Sequence, residues 1–275
     1  MHYDLKDVCL KMRQDCLVMA EAAGNSGMHF GGTLSMIEII AVLYLQVMKI
    51  TPDYLNDERR DRAIISKGHG IPAVYAVLHQ AGIITDDELK TFKQNETELY
   101  GHPSKNKRLC IEFSSGSLGQ GLSLGVGTAI ALLRKNNNNS RVFVILGDGE
   151  CDEGSVWEAA MSAAKFNLNN LVAVIDKNKI QYDGDTEEIM PLLSLSDKWK
   201  SFGWNTLSID GHNIIECEQA LSTRYSKPTV IIANTVKGKG ISFMENNPEW
   251  HHRQMTKTQA AQVWQELNGE DQNGI

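Results

Sequence analysis

The sequence predicts an α/β protein with a mostly parallel central sheet and helices on both faces. Three observations carry this. Short apolar runs, Val142 to Leu146, Leu171 to Ile175 and Thr229 to Ala233, read as strands buried on both faces. Segments with helical spacing separate them. Gly-rich turns sit where strand gives way to helix, and glycine lets the backbone turn sharply and approach a ligand closely.

Residues 4 to 22 place Leu5, Val8, Cys9, Met12, Cys16 and Met19 on one helix face. Gly24 to Gly27 breaks that helix. Met28 to Ser35 leads into an apolar helix reaching about Val47, with Thr33 or Ser35 as its cap. Polar residues 51 to 62 form a loop, and Ala63 to Ile65 a short strand ending at Ser66-Lys67-Gly68-His69-Gly70. Pro72 opens a helix to about Gln80, in which His79 reads as structural. Asp86 starts a further short helix, and Tyr100-Gly101-His102-Pro103 is a turn. Ser114 to Gly121 is a Gly-rich approach to a helix over Leu122 to Arg134, and Asn136 to Asn139 is a solvated loop.

Arg141 to Gly184 organises the rest. It reads as strand, Gly147-Asp148-Gly149, helix with acids in its first turn, strand, then Asp176-Lys177-Asn178-Lys179-Ile180. Parallel strands of one such unit end on the same sheet edge, so Asp148 and Asn178 lie side by side where open α/β sheets bind ligands. A carboxylate, an amide and a nearby backbone carbonyl, such as that of Ile180, form an all-oxygen set suited to Mg2+ or Ca2+. A helix N-terminus after Gly149 favours an anion there. The physical reading is a metal-bridged diphosphate site; the bland alternative is an ordinary turn.

Downstream, Leu192 to Phe202 and Glu216 to Tyr225 read as helices, and Trp204 to Ile209 as a strand ending at Asp210-Gly211-His212-Asn213. Lys237 to Gly240 is a loop, most simply flexible and otherwise a lid. Trp250-His251-His252 precedes a last helix, Thr256 to Leu267. With no repeat and no linker, residues 1–275 read as a single domain with a C-terminal extension from about 235.

Composition excludes several classes. The 275 residues are 42% hydrophobic and 22% charged, an ordinary globular balance. A net charge of -7 without a basic run argues against nucleic acid. No signal peptide or membrane-length apolar stretch is present. Five scattered cysteines read as reduced thiols, which fits a cytoplasmic location. Cys151, among Glu150, Asp152 and Glu153, is not a nucleophile, because those charges disfavour a thiolate. A nicotinamide-binding fold is disfavoured because no G-x-G-x-x-G follows the first strand.

The pattern resembles the diphosphate-binding half of a transketolase. The residues that carry this are His29-Phe30-Gly31-Gly32, Ser66-Lys67-Gly68-His69, Gly101-His102-Pro103, Gly116-Ser117-Leu118-Gly119-Gln120-Gly121, the Gly-Asp-Gly unit with Asn178, Asp210-Gly211-His212 and Trp250-His251. The resemblance implies thiamine diphosphate held through Mg2+, with Ca2+ or Mn2+ as substitutes. Asp148, Asn178 and the Ile180 carbonyl would hold the metal, and His69 and Gly149 the diphosphate. Gly116 and Leu118 would meet the cofactor rings. His29, His102 and His251, the last preferred to His252, would face the sugar, with His69 and His251 shared between cofactor and catalysis. Imidazole suits proton shuttling because its ordinary pKa of about 6.5 lies near working pH. In this family the cofactor's ylide attacks a ketose carbonyl and its ring stores the carbanion.

The activity so implied is transfer of a two-carbon ketol unit from a ketose or ketose phosphate to an aldose. A pyrimidine-binding domain, which supplies the activating glutamate in this family, would come from a second subunit. Glu153 would pair with that glutamate across the interface, in a 2+2 heterotetramer. The alternatives are a 1-deoxyxylulose-5-phosphate synthase type of enzyme, a relative acting on an unusual sugar, or a non-catalytic subunit. Two departures stand out: Met28 separates Gly27 from His29, and Asp176-Lys177-Asn178 replaces the usual Asn-Asn.

Overall fold

Five parallel strands form one sheet, in the order β1-β2-β3-β5-β4. They are β1 (Arg62–Ile65), β2 (Val142–Gly147), β3 (Leu171–Lys177), β4 (Asn205–Asp210) and β5 (Thr229–Asn234). The structure is a computed structural model that describes residues 3–137 and 139–269. Asn138, within the run read as a solvated loop, lies outside the described residues.

Side-chain alternation explains why β2, β3 and β5 are apolar without interruption. Phe143, Ile145, Val172, Val174 and Ile231 point into one core, while Val142, Val144, Leu146, Ala173, Ile175 and Ile232 point into another. The first core is closed by α1 (Leu5–Ala23), α2 (Ile71–Gln80), α6 (Ile214–Ser222) and α7 (Lys257–Gly269). The second is closed by α3 (Gln120–Arg134), α4 (Gly154–Lys165) and α5 (Leu195–Ser201). The sheet is thus covered on both faces, as expected. The five cysteines are all buried and unpaired. Among the described residues, no helix is long and apolar enough to cross a membrane.

Two local expectations fail. The segment after His29 is not one capped helix. It breaks into Gly31–Leu34, Ile37–Ala41 and a π-helical turn over Val42–Val47, with Met36 at φ -114° interrupting it. Neither Thr33 nor Ser35 caps it. Both are fully buried; Thr33 Oγ1 donates to the His29 carbonyl (2.5 Å) and Ser35 Oγ to Asp176 (2.6 Å). Interior polar partners outbid the helix end for these hydroxyls. Likewise, α4 does not begin after Gly149. Gly149–Asp152 forms a 3-10 turn that holds the acids Glu150 and Asp152, and α4 starts only at Gly154.

Candidate functional site

Because all five strands run the same way, the segments after β1, β2, β3 and β5 converge at one edge. Gly147 pairs with Asp176 in the ladder, and Asp176 with Ala233. Asp176 is completely buried and takes four donors. Oδ2 accepts from Lys67 Nζ, Ser35 Oγ (2.6 Å) and Asn178 Nδ2 (3.1 Å), while Thr235 Oγ1 donates to Oδ1. Burial alone would raise this carboxyl; Lys67 and the hydroxyls outweigh it and hold the group below the usual carboxylate range. The ion pair therefore fixes the Asn178 amide, so that Nδ2 faces Asp176 and Oδ1 accepts from the Ile180 N–H at 3.2 Å.

Asp148 stands beside this group. Its Oδ2 accepts from the Lys179 N–H (2.6 Å) and its Oδ1 from the Gly149 N–H (2.9 Å). Lys179 has φ +67°, the left-handed region that few non-glycine residues adopt. That turn lies where the Lys179 N–H meets Asp148, and strain of this kind concentrates at functional sites. Burial, with Asp176 nearby, pushes the Asp148 carboxyl up to about 6. A buried carboxyl so raised gains from an adjacent cation. The donor set of carboxylate, amide oxygen and carbonyl fits Mg2+ or Ca2+. Among the described residues, no group of three or more His, Cys, Asp or Glu has metal-binding geometry.

Sequence reasoning misses Lys237. It places the residue in a flexible loop, yet Lys237 is 2% exposed. Its Nζ lies 2.5 Å from the Ile180 carbonyl and 3.0 Å from His251 Nδ1. Burial, reinforced by Lys67, lowers its pKa to about 8 against the pull of Asp148 and Asp176. The positive charge at this spot comes from Lys67 and Lys237 rather than from a helix end. The Gly149 N–H is turned onto its neighbour's carboxylate, and α4 begins beyond it. A signal is present: Lys237 follows a buried strand ending on the same edge as Asp148 and Asn178.

Above this floor the histidines gather. The His29 ring centroid lies 5.4 Å from those of His69 and His102, 5.5 Å from His251 and 4.4 Å from His252. His251 also meets His69 at 5.2 Å and Tyr182 at 5.1 Å. His252 therefore joins the cluster, where His251 alone is expected. Met28 does not disturb the register. Its side chain is buried, and its backbone pairs antiparallel with Arg253, which brings His251 and His252 against His29. Gly31 and Gly32 make room. A Cβ at Gly31 would lie 2.7 Å from Lys237 Cγ, and one at Gly32 would lie 2.8 Å from His69 Nε2.

The titration expected near neutral pH is not what these rings have. Burial, joined by neighbouring imidazoles and lysines, takes His29 and His251 down to about 3. His69, His102 and His252 are lowered too, each by burial first. The five rings are neutral at pH 7, each with one donor and one acceptor nitrogen.

The Gly-rich loop is tied down by Glu150, which enters the sequence reading only as a charge near Cys151. Its buried carboxylate accepts from Ser66 Oγ and from the N–H groups of Gly119 (2.8 Å) and Gly147 (3.1 Å). Ser66 Oγ in turn accepts from the Gly121 N–H at 3.1 Å. Gly119, at φ +81°, packs on Glu153: a Cβ there would lie 2.7 Å from Glu153 Cβ. Gly116 is exposed at the cluster's rim, where a Cβ would come no closer than 3.9 Å to His102. Leu118 is half-buried and Glu153 exposed. The Cys151 thiol is raised well above its ordinary range by burial and by Glu150, Asp148 and Asp152, so it is no nucleophile.

A family model described as the transketolase thiamine diphosphate binding domain matches residues 11–273. A 6-deoxy-6-sulfo-D-fructose transketolase subunit of Clostridium sp. (strain MSTE9) is 43% identical over 241 residues, covering 86% of this chain and 87% of the relative. An apulose-4-phosphate transketolase subunit of Actinobacillus succinogenes is 41% identical, covering 91% of each. Human transketolase is 35% identical over 98% of this chain but only 43% of its own length. The transketolase structure from Leishmania mexicana superposes with a TM-score of 0.87 at 27% identity, over 98% of this chain and 42% of that one. This chain therefore spans under half of those two enzymes and most of the two named subunits. It belongs to the transketolase family, as a thiamine diphosphate binding domain.

Proposed function

We propose that this chain is the diphosphate-side subunit of a split, two-subunit transketolase that moves a two-carbon ketol unit from a ketose donor to an aldose acceptor. The observation that carries the reading is the convergence of Asp148, Asn178, the Ile180 carbonyl and Lys237 beneath five clustered histidines. Asp148, Asn178 and the Ile180 carbonyl would hold Mg2+, and Lys237 and His69 would face the diphosphate, whereas the Gly149 N–H is taken by Asp148. Gly116 and Leu118 lie along the rings. When bound, thiamine diphosphate supplies the nucleophilic carbon and the electron sink.

The protein's own work is positional. His29, His102, His251 and His252 are neutral, so they hold sugar hydroxyl and carbonyl oxygens by hydrogen bonds and pass protons at those atoms. Exposed Glu153 lies where a second subunit can reach it. We read that partner as a pyrimidine-binding subunit and the assembly as a 2+2 heterotetramer in the cytoplasm. The relatives matched over most of their length are themselves named as subunits, which supports this reading. Their names add a sulfonated fructose and apulose-4-phosphate to the sugars worth testing.

The test mixes the purified chain with the candidate partner and Mg2+. The expected result is thiamine diphosphate uptake by calorimetry and ketol transfer only in the mixture, over a panel that includes sulfonated and branched sugars. Uptake undiminished in Asp148→Ala, or full transfer by this chain alone, would overturn the reading.

A further inference from the structure

The Asp210-Gly211-His212 motif has no part in the site above, and neither do buried Arg13 and Glu38. Yet three of these side chains form one run of contacts. Arg13 Nη2 donates to Glu38 Oε1 at 2.6 Å, and His212 Nδ1 lies 2.9 Å from Glu38 Oε2. On the far side, His212 Nε2 lies 2.8 Å from the Val236 backbone nitrogen. A backbone N–H can only donate, so Nε2 accepts, and the ring hydrogen sits on Nδ1, donated to Glu38. Burial would raise the Glu38 carboxyl, but Arg13 and His212 together hold it below the usual range and ionised. The tautomer is fixed from both ends.

Val236 immediately precedes Lys237, and the next residues are held as well. The Gly238 N–H donates to the Gly31 carbonyl at 3.1 Å. Arg13 Nε donates to the Lys239 carbonyl at 3.1 Å. Gly240, at φ +92°, lets Arg13 pass: a Cβ there would lie 2.5 Å from Nε. The chain is therefore held on either side of Lys237, by Gly31 at the Gly238 N–H and by His212 at the Val236 N–H. Removing that acceptor leaves a backbone N–H unpaired, and the cheapest relief is to move the loop outward.

We propose that His212 is a positioning residue. The Arg13–Glu38–His212 relay sets the loop over 236–239 so that the Lys237 ammonium reaches the Ile180 carbonyl and His251. The relay stands on geometry alone; its bearing on cofactor binding rests on the function proposed above.

His212→Gln and His212→Phe separate the roles, because glutamine can donate at one end and accept at the other, whereas phenylalanine only fills space. The first measurement is deuterium uptake of the 235–240 segment in the full chain without ligand. His212→Phe is expected to exchange about tenfold faster there, with His212→Gln near wild type. The second is thiamine diphosphate affinity of the reconstituted pair with Mg2+, by calorimetry. His212→Phe is expected to weaken it about 10- to 100-fold, the usual effect of losing an outer partner of a binding group. The same variant keeps kcat within about twofold at saturating cofactor, and His212→Gln recovers the affinity. Should His212→Phe not fold, Glu38→Gln, which keeps the volume but loosens the imidazole, goes through the same two measurements. Wild-type exchange and affinity in the variant, or His212→Gln as impaired as His212→Phe, would overturn the proposal. A wild-type pair that takes up no cofactor would sink the proposed function, while the exchange result still decides the relay.

Discussion

Lys67→Met tests the buried ion pair on which the site's floor is built. Lys67 and Asp176 are 1% and 0% exposed at the side chain. Breaking such a pair by removing one partner typically costs about 3–5 kcal/mol, because the remaining charge is stranded in a low-dielectric interior. Asp176 would keep Ser35, Thr235 and Asn178 as donors, so the lower end, about 3 kcal/mol, is expected. Against a total stability of about 5–15 kcal/mol, that is a large fraction. It corresponds to a fall of about 6–10 °C in melting temperature at roughly this chain length. The assay is thermal and urea unfolding of the full chain, followed by tryptophan fluorescence and circular dichroism. A double-mutant cycle isolates the pair. Asp176→Asn alone leaves the Lys67 ammonium uncompensated, whereas the double variant buries neither charge. The double variant should cost less than the sum of the singles by about 2 kcal/mol. If Lys67→Met lies within about 1 kcal/mol of wild type, or the two costs simply add, the pair does not organise this edge.

Four further outcomes follow from the same packing and electrostatics. Gly121→Ala would place a Cβ 2.4 Å from Ser66 Cβ and 2.8 Å from its Cα, so it should cost about 1–3 kcal/mol and weaken cofactor uptake. Gly127→Ala on the same helix α3 meets open space and should stabilise by about 0.5–1 kcal/mol, as matched urea melts would report. His79, raised first by its hydrogen bond to Asp15 and further by Asp86, contributes stability that is full below its unfolded pKa of about 6.5 and is lost as pH rises through the folded value. Wild type should therefore lose its margin over His79→Gln as pH rises above about 6.5, and a margin that grows with pH would contradict the assignment. All five thiols are buried, and burial pushes Cys110 to about 11 and Cys217 to about 12. A disulfide reagent should find no fast-reacting thiol in the native chain and all five after unfolding.

The fold is legible in the sequence because the central strands β2, β3 and β5 carry short apolar runs, and β1, β2 and β4 give way to glycine-bearing turns. Periodicity places β2 and β3 within a residue or two at their carboxyl ends. The competition for polar groups is what local pattern cannot convey. Thr33 and Ser35 look like caps until Asp176 and the His29 carbonyl are in reach. Glu150 looks like a first-turn acid until the Gly119 and Gly147 N–H groups close on it. Lys237 looks solvated because a Lys-Gly-Lys-Gly run normally is. Its side chain packs on Gly31, some two hundred residues away, and Arg13 and His212 anchor the chain at Lys239 and Val236 on either side of it. Long-range pairing of this kind has no local signature.

The depressed histidines change how the site divides its labour. A cluster of five imidazoles within reach of Lys67, Lys93 and Lys237 cannot all carry protons, since each added charge would face the others in a partly dry cleft. Two buried lysines, Lys67 and Lys237, lie at the floor, where the proposed function puts the anionic end of the cofactor. The rings above stay neutral, where a sugar's hydroxyls need both donors and acceptors. Neutrality is thus first a consequence of burial, reinforced by the neighbouring rings and lysines, and under the function proposed above it would leave both donors and acceptors for a sugar's hydroxyls.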